Sequence, residues 1–132
     1  MHTALATTAM LLSSLLFGGM VLFSFGFALF VLKHLPAAVA RPLIRQAFPH
    51  YYLLVIVTAG LAALAAAPLD RVTASLLAAI ALSTLLARQV LMPAVNAATD
   101  QGDKKRFGQL HGISVLIQLA QIGAVVICLL RF

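Results

Sequence analysis

A stripe of polar side chains interrupts the last apolar segment of this 132-residue chain. The stripe consists of His111, Ser114, Gln118 and Gln121, which follow one another at intervals of three, four and three residues. At about 100° per residue these positions share an arc of about 80° on an α-helix, so they lie on one face. A polar side chain in hydrocarbon needs a hydrogen-bonding partner or a water-filled cavity. The stripe is therefore predicted to point at protein and to mark a site.

Arg88 is the one charged residue deep inside an apolar run, and two interpretations of it stay open. It stands 16 residues after Val72, about 24 Å along a helix, in a bilayer whose hydrocarbon is about 30 Å thick. The guanidinium either extends to the nearby headgroups or turns inward to pair with an anion and organise the stripe. The predicted substrate-binding residues are Arg88, His111, Ser114, Gln118 and Gln121.

Structural roles compete with a binding role for the same residues. Hydrogen bonds between helices would also explain the serine and the two glutamines of the stripe. His111 is expected near the membrane surface, as a proton relay, as a metal or haem ligand, or as an interfacial residue bonded to another helix. His50 and His111 are the only reasonable pair for bis-histidine haem, and His34 could join them on a metal. The cofactor therefore stays unknown.

The chain lacks the residue patterns of enzyme active sites and of dedicated metal sites. It contains no Glu, Cys128 is its single cysteine, and its three acids, Asp70, Asp100 and Asp103, stand between the apolar segments. No paired carboxylates, no Cys-x-x-Cys motif and no nucleophile with a nearby base occur in the sequence. We therefore expect no catalytic residues and no metal ligands, and the chain is predicted not to be an enzyme.

Composition predicts that membrane-spanning helices position these residues. Hydrophobic residues make up 63% of the chain and charged residues 9%, with a mean hydropathy of +1.08, whereas soluble domains carry about 25% charged residues. The net charge of +6 resides in linkers, where contact with headgroups explains it better than nucleic acid does. The predicted fold is all-α, an integral membrane four-helix bundle forming one domain over residues 1–132, with the lipid bilayer as its partner and no nucleic acid.

Four apolar segments each reach the length of about 20 residues that a span needs. The predicted helices cover about 4–32, 48–67, 70–95 and 107–130. The first is expected to be a retained span, because its run of 29 residues, Ala4–Leu32, exceeds the core of a signal peptide, about 7–15 residues. Arg41 and Arg45, four residues apart, predict a short interfacial helix between helices one and two. Tyr51 and Tyr52 are expected in an interfacial aromatic belt.

Basic residues orient the four predicted helices. Those of the first and third linkers are Lys33, Arg41, Arg45, Lys104, Lys105 and Arg106, against Arg71 and Arg131 at the other ends of the helices. An even number of helices places these two linkers on one side of the membrane. The positive-inside rule then predicts that both linkers are cytoplasmic and that both termini are outside, in a bacterial inner membrane.

Three stretches occur in order along most of the chain. They are Lys33-His34-Leu35-Pro36 with Phe48-Pro49-His50-Tyr51-Tyr52, then Ala87-Arg88 to Pro93, and then Arg106-Phe107 with Leu110-His111-Gly112-Ile113-Ser114. In this order they resemble the transmembrane protein 205-like family, also catalogued as domain of unknown function 4149. Gln118 departs from the family pattern, in which an Asn is expected. The resemblance implies a four-helix integral membrane protein and implies little about activity.

Three functional hypotheses follow. The first is a small membrane protein that binds or transports a small solute or ion through a cytoplasm-facing polar pocket between helices three and four, as a homo-oligomer because one chain is too small to enclose a pathway. The second is an accessory or structural subunit of a larger membrane complex, in which the polar stripe docks a partner helix. The third is a haem-binding redox membrane protein.

Overall fold

Four long helices make up the computed structural model, which describes residues 2–132. They are α1, His2–His34; α2, Ala37–Ala66; α3, Arg71–Asp100; and α4, Lys104–Arg131. Each is long and apolar enough to cross a membrane, and residues 2–132 contain no strand. The predicted all-α architecture with four candidate spans is therefore confirmed. Helices of 28–33 residues are about 42–50 Å long, which exceeds the hydrocarbon thickness of about 30 Å.

Large apolar side chains cover the outside of the bundle. Leu116 is 69% exposed and Leu130 is 81% exposed, and only 17–28% of the most apolar window of each helix is buried. A surface of this kind aggregates in water and is accommodated by lipid. The interior is narrow, and its largest fully buried apolar side chains are Met20, Leu77 and Val125, from α1, α3 and α4.

Alanines let the neighbouring helices approach α2 closely. Ala59, Ala62 and Ala66 are at most 1% exposed and belong to the central apolar cluster. Small side chains at a helix interface bring the backbones together and increase the van der Waals contact that drives helix association in lipid. As a result α2 packs extensively against both α1 and α3.

Short connections make successive helices antiparallel neighbours. Only Leu35 and Pro36 separate α1 from α2, and Leu35 adopts the extended conformation that a following proline favours. Residues 101–103 separate α3 from α4, where Gly102 has a φ of +69° that only glycine adopts without strain. α1 also packs against α4, which closes the bundle.

The predicted short interfacial helix is wrong. Residues 37–47 form the first turns of α2, which continues unbroken from Ala37 to Ala66. Pro42 and Pro49 lie inside this helix. Each proline removes one backbone N–H, a loss that helices in membranes tolerate because neighbouring groups compensate for it. The second helix therefore begins at residue 37 and not at residue 48.

Two of the helices contain a π-helical turn. Leu22–Phe27 forms one in α1, and Ala87–Leu91 forms the other in α3. In α3 the N–H of Met92 donates to the carbonyl of Ala87, five residues earlier. Turns of this kind widen a helix locally and are frequent at functional sites.

One ion pair closes each end of the bundle. The guanidinium of Arg131 donates to both carboxylate oxygens of Asp70, at 2.7 and 3.0 Å, and ties the end of α4 to the connection between α2 and α3. Arg45 donates to both carboxylate oxygens of Asp100, at 2.7 and 3.1 Å, and ties the first turns of α2 to the end of α3. The end that holds the Arg45–Asp100 pair is called the basic end below.

Asp70 makes the stability of the bundle dependent on pH. Hydrogen bonds from Arg131, and then from Thr73 and the Val72 N–H, hold the pKa of its carboxyl well below the usual range. Because the folded-state pKa is lowered, this stabilisation is present above the ordinary pKa of 3.8 and is lost as the pH falls below it. We expect the Tm in detergent micelles to fall by several degrees more in the native chain than in D70N between about pH 5 and pH 3. Parallel pH profiles would contradict this assignment.

Candidate functional site

Gln118 connects α4 to both of the first two helices. Its Nε2 donates to the hydroxyl of Ser24 in α1, at 2.8 Å, and to the hydroxyl of Tyr51 in α2. The ring of Tyr51 stacks on Phe23 with a centroid distance of 4.1 Å, which holds the phenol in place. Gln118 stands 13 residues before Arg131, about 20 Å along the helix. This amide therefore makes its hydrogen bonds at a depth where the bilayer offers none.

Gln121 connects α4 to α3. Its Nε2 donates to the hydroxyls of Ser83 and Thr84, at 2.8 and 3.0 Å. Both hydroxyls also contact the carbonyl oxygen of Ile80, at 3.1 and 2.7 Å. A carbonyl only accepts, so each hydroxyl gives its single proton to Ile80 and meets Gln121 as an acceptor. The amide nitrogen of Gln121 must therefore face α3, and its oxygen is left for other contacts.

A small cavity lies beside the two amides, between α2, α3 and α4. Its lining consists of Tyr52, Thr84, Ala87, Leu91, Ser114, Ile117, Gln118 and Gln121. It has room for about one water molecule. Ala87 and Leu91 belong to the π-helical turn of α3, so that turn forms part of the wall. A small polar species is more stable against this wall than in the surrounding hydrocarbon, because hydroxyl and amide groups replace its lost hydration.

The structure brings three of the five predicted site residues together. Ser114, Gln118 and Gln121 line the cavity, whereas Arg88 and His111 do not. The hydroxyl of Ser114 donates to a carbonyl of its own helix at 3.1 Å. The polar stripe of α4 therefore divides into a part that faces the interior and a part nearer the basic end.

Arg88 and His111 have other surroundings. Arg88 is half-buried, and its guanidinium donates to the carbonyl of Pro49 in α2, at 3.3 Å, and to the side-chain oxygen of Gln89, at 3.1 Å. His111 is exposed and stacks on the ring of Phe107 with a centroid distance of 5.6 Å. Arg88 thus links α3 to α2, while His111 lies on the outer surface of α4.

Tyr51 and Tyr52 lie further along the second helix than its predicted start at residue 48 implied. Both were expected at the membrane surface because the second helix was predicted to begin at residue 48. The helix begins at Ala37, so Tyr51 lies about 21 Å along it, near the middle. The position of Gln118 deep in an apolar segment could have indicated its bond to Tyr51, because a submerged amide requires a hydroxyl or carbonyl partner at the same level.

Possible metal ligands do not gather in the part of the chain that the structure describes. Among residues 2–132 no group of three or more His, Cys, Asp or Glu lies close enough to hold a metal ion. His34, His50 and His111 are all exposed. Cys128 is buried, and its Sγ lies 3.9 Å from the carbonyl oxygen of Thr73.

A known protein family matches most of this chain. The family model described as domain of unknown function (DUF4149) matches residues 11–104, more than half of the chain. The chain belongs to the DUF4149 family. Within this DUF4149 chain, the cavity residues of α2 and α3 fall in the matched range and those of α4 lie beyond it. No curated protein and no solved structure matches the chain.

Tyr51 and Tyr52 provide a matched pair of substitutions. Y51F leaves one amide hydrogen of Gln118 without its acceptor, so we expect the free energy of unfolding to fall by about 1 kcal/mol. Y52F removes a hydroxyl to which no group in residues 2–132 is hydrogen-bonded, and we expect a change below about 0.5 kcal/mol. Unfolding in mixed detergent micelles measures both values. Equal losses in the two variants would show that the bond to Gln118 contributes nothing.

Proposed function

We propose that this chain is a small integral membrane protein that binds a small polar solute or ion in the cavity and takes part in its movement across a bacterial inner membrane. The observation that supports this best is the convergence of Tyr52, Thr84, Ser114, Gln118 and Gln121 around one water-sized space. Polar side chains at this depth are expensive and are characteristic of solute and ion pathways. The resemblance to the transmembrane protein 205-like family is part of this proposal.

The orientation in this proposal follows the positive-inside rule, with the basic end in the cytoplasm. Arg88 lies about one helical turn from Thr84 towards that end, and His111 lies about two turns from Gln118. Both residues then lie nearer the cytoplasm than the cavity does, with Arg88 half-buried and His111 on the outer surface of α4. His111 can relay protons there, and Arg88 sets the charge that an approaching solute meets.

One chain supplies a site and not a complete pathway. The cavity has room for about one water molecule, so passage requires either separation of the helices around it or a second copy of the chain. We include a homo-oligomer in the proposal for this reason. We propose no catalytic role, because the lining offers hydroxyl and amide groups without a base to activate them.

The two rival functions have less support. For an accessory subunit that docks a partner helix on the polar stripe, the donors of Gln118 and Gln121 are already used, because both amides donate to helices of the same chain. For a haem protein, His50 and His111 would have to meet between helices, and both are exposed. Binding of a solute in the cavity accounts for the same residues more directly.

Reconstituted vesicles test the proposed function. The purified chain is inserted into liposomes loaded with ion-sensitive dyes, and gradients of H⁺, Na⁺, K⁺ and Cl⁻ are imposed in turn. We expect flux of at least one of these ions. In Q118L/Q121L that flux should fall about tenfold, a change that corresponds to the net free energy of about one hydrogen bond.

The control for this experiment is T8A, because the Thr8 hydroxyl is exposed and bonded only within α1. T8A should conduct like the native chain. Flux no higher than in empty vesicles for all four ions, or flux unchanged in Q118L/Q121L, would contradict the proposed function.

Cysteine labelling tests the proposed orientation. In a Cys128→Ser background the chain carries no native thiol, and Pro68 and Gln101 are exposed at opposite ends of the bundle. A membrane-impermeant maleimide should label P68C in intact spheroplasts and should label Q101C only after permeabilisation. The reverse pattern would overturn the orientation.

A further inference from the structure

Most hydrogen-bond donors around the cavity already donate to acceptors of the same chain. Gln118 and Gln121 each give two amide hydrogens to hydroxyls of other helices. Thr84 and Ser114 give their hydroxyl protons to carbonyls of their own helices. Among the polar groups of the lining, only the Tyr52 hydroxyl has a proton that no residue in the described range 2–132 accepts. An anion in the cavity would therefore find a single donor.

Acceptors, in contrast, remain available. Five neutral oxygen atoms of the lining residues keep free lone pairs: Oε1 of Gln118, Oε1 of Gln121, Oγ of Ser114, Oγ1 of Thr84 and the hydroxyl oxygen of Tyr52. No carboxylate and no basic side chain lines the cavity. The residues around the cavity therefore offer more free neutral acceptors than free donors, which is the reverse of what an anion requires.

We propose that the cavity is a site for one dehydrated alkali-metal cation, Na⁺ or K⁺. This inference rests on the proposed function and names its substrate class. Neutral carbonyl-type oxygens replace the hydration shell of such cations in ion-selective sites, and hard cations prefer oxygen ligands. The space for about one water molecule suits a single ion without its shell.

The charge of the ion follows from the neutrality of the ligands. The cost of moving an ion out of water rises with the square of its charge, and no carboxylate in the lining offsets it. A monovalent ion is therefore favoured over Ca²⁺ or Mg²⁺, which rely on carboxylates. Arg88 does not line the cavity, but its positive charge lies about one turn from Thr84 and opposes a bound cation.

Thermal unfolding of the full chain in detergent micelles tests the cation site. The Tm is measured in NaCl, in KCl and in choline chloride at equal ionic strength. We expect Na⁺ or K⁺ to raise the Tm in a saturable way and choline to have no such effect, because only a bound ion stabilises the folded state. In R88Q the rise in Tm should saturate at a lower concentration of the same ion, because the repelling charge of Arg88 has been removed.

Two cavity variants separate loss of the site from loss of the fold. Q121L removes one oxygen ligand and should abolish the specific rise in Tm. S114A removes a hydroxyl that is bonded only to its own helix, so it should fold normally and raise the half-saturating concentration severalfold. T8A should behave like the native chain.

Equal Tm values in alkali and choline salts would overturn the cation site, and a cavity that holds only water gives this result. A specific rise in Tm that persists unchanged in both Q121L and S114A would also overturn it. Flux of H⁺ or Cl⁻ without alkali-cation stabilisation would refute the site and leave the proposed function standing. Stabilisation without any flux in vesicles would confirm the site and refute the proposed transport.

Discussion

The architecture depends on one constraint: a polar group in the hydrocarbon core must find its hydrogen-bonding partners within the protein, because lipid tails supply none. Gln118 and Gln121 carry the two side-chain amides that lie deep in α4. Gln118 meets its partners on α1 and α2, and Gln121 meets its partners on α3. All four helices therefore converge on one polar layer, which sets their depth and rotation relative to one another in a way that apolar contacts alone would not.

The other features of the bundle are arranged around this layer. Both π-helical turns border it, since Ser24 lies within the turn of α1 and Ala87 lies within the turn of α3. The Phe23–Tyr51 stack supports the phenol that faces the amide. The two ion pairs lie at the ends of the helices, where exposed charges cost little. Both ion pairs thus lie at the ends, and the layer around Gln118 and Gln121 is made of neutral polar groups, with Arg88 about one turn away.

The sequence was sufficient for the four candidate spans and for the prediction that Gln118 and Gln121 point at protein. Apolar length determines a span, and a rise of 1.5 Å per residue places Gln118 and Gln121 without knowledge of their neighbours. The start of α2 was not predictable in this way. Pro42 and Pro49 would indicate a helix break in a soluble protein, but prolines are tolerated inside a membrane helix. That error also placed Tyr51 in the first turn of the helix, whereas it lies near the middle.

The partners of the amides were equally beyond a single sequence. Ser24 belongs to no polar stripe in the sequence, and nothing in the sequence indicated the π-helical turn that contains it. Which face of α1 turns towards α4 depends on the simultaneous packing of four helices, and this is a property of the folded bundle. Arg88 illustrates the same limit, because its contact with the Pro49 carbonyl depends on how α3 packs against α2.

The central claim is that the Gln118 amide joins helices through hydrogen bonds inside the membrane. A double-mutant cycle between S24A and Q118L, with unfolding followed in bicelles, measures the energy of one such contact directly. The account predicts a favourable coupling between about 0.6 and 1.7 kcal/mol, the average and the maximum for hydrogen bonds between membrane helices. A coupling energy of zero within experimental error would contradict it.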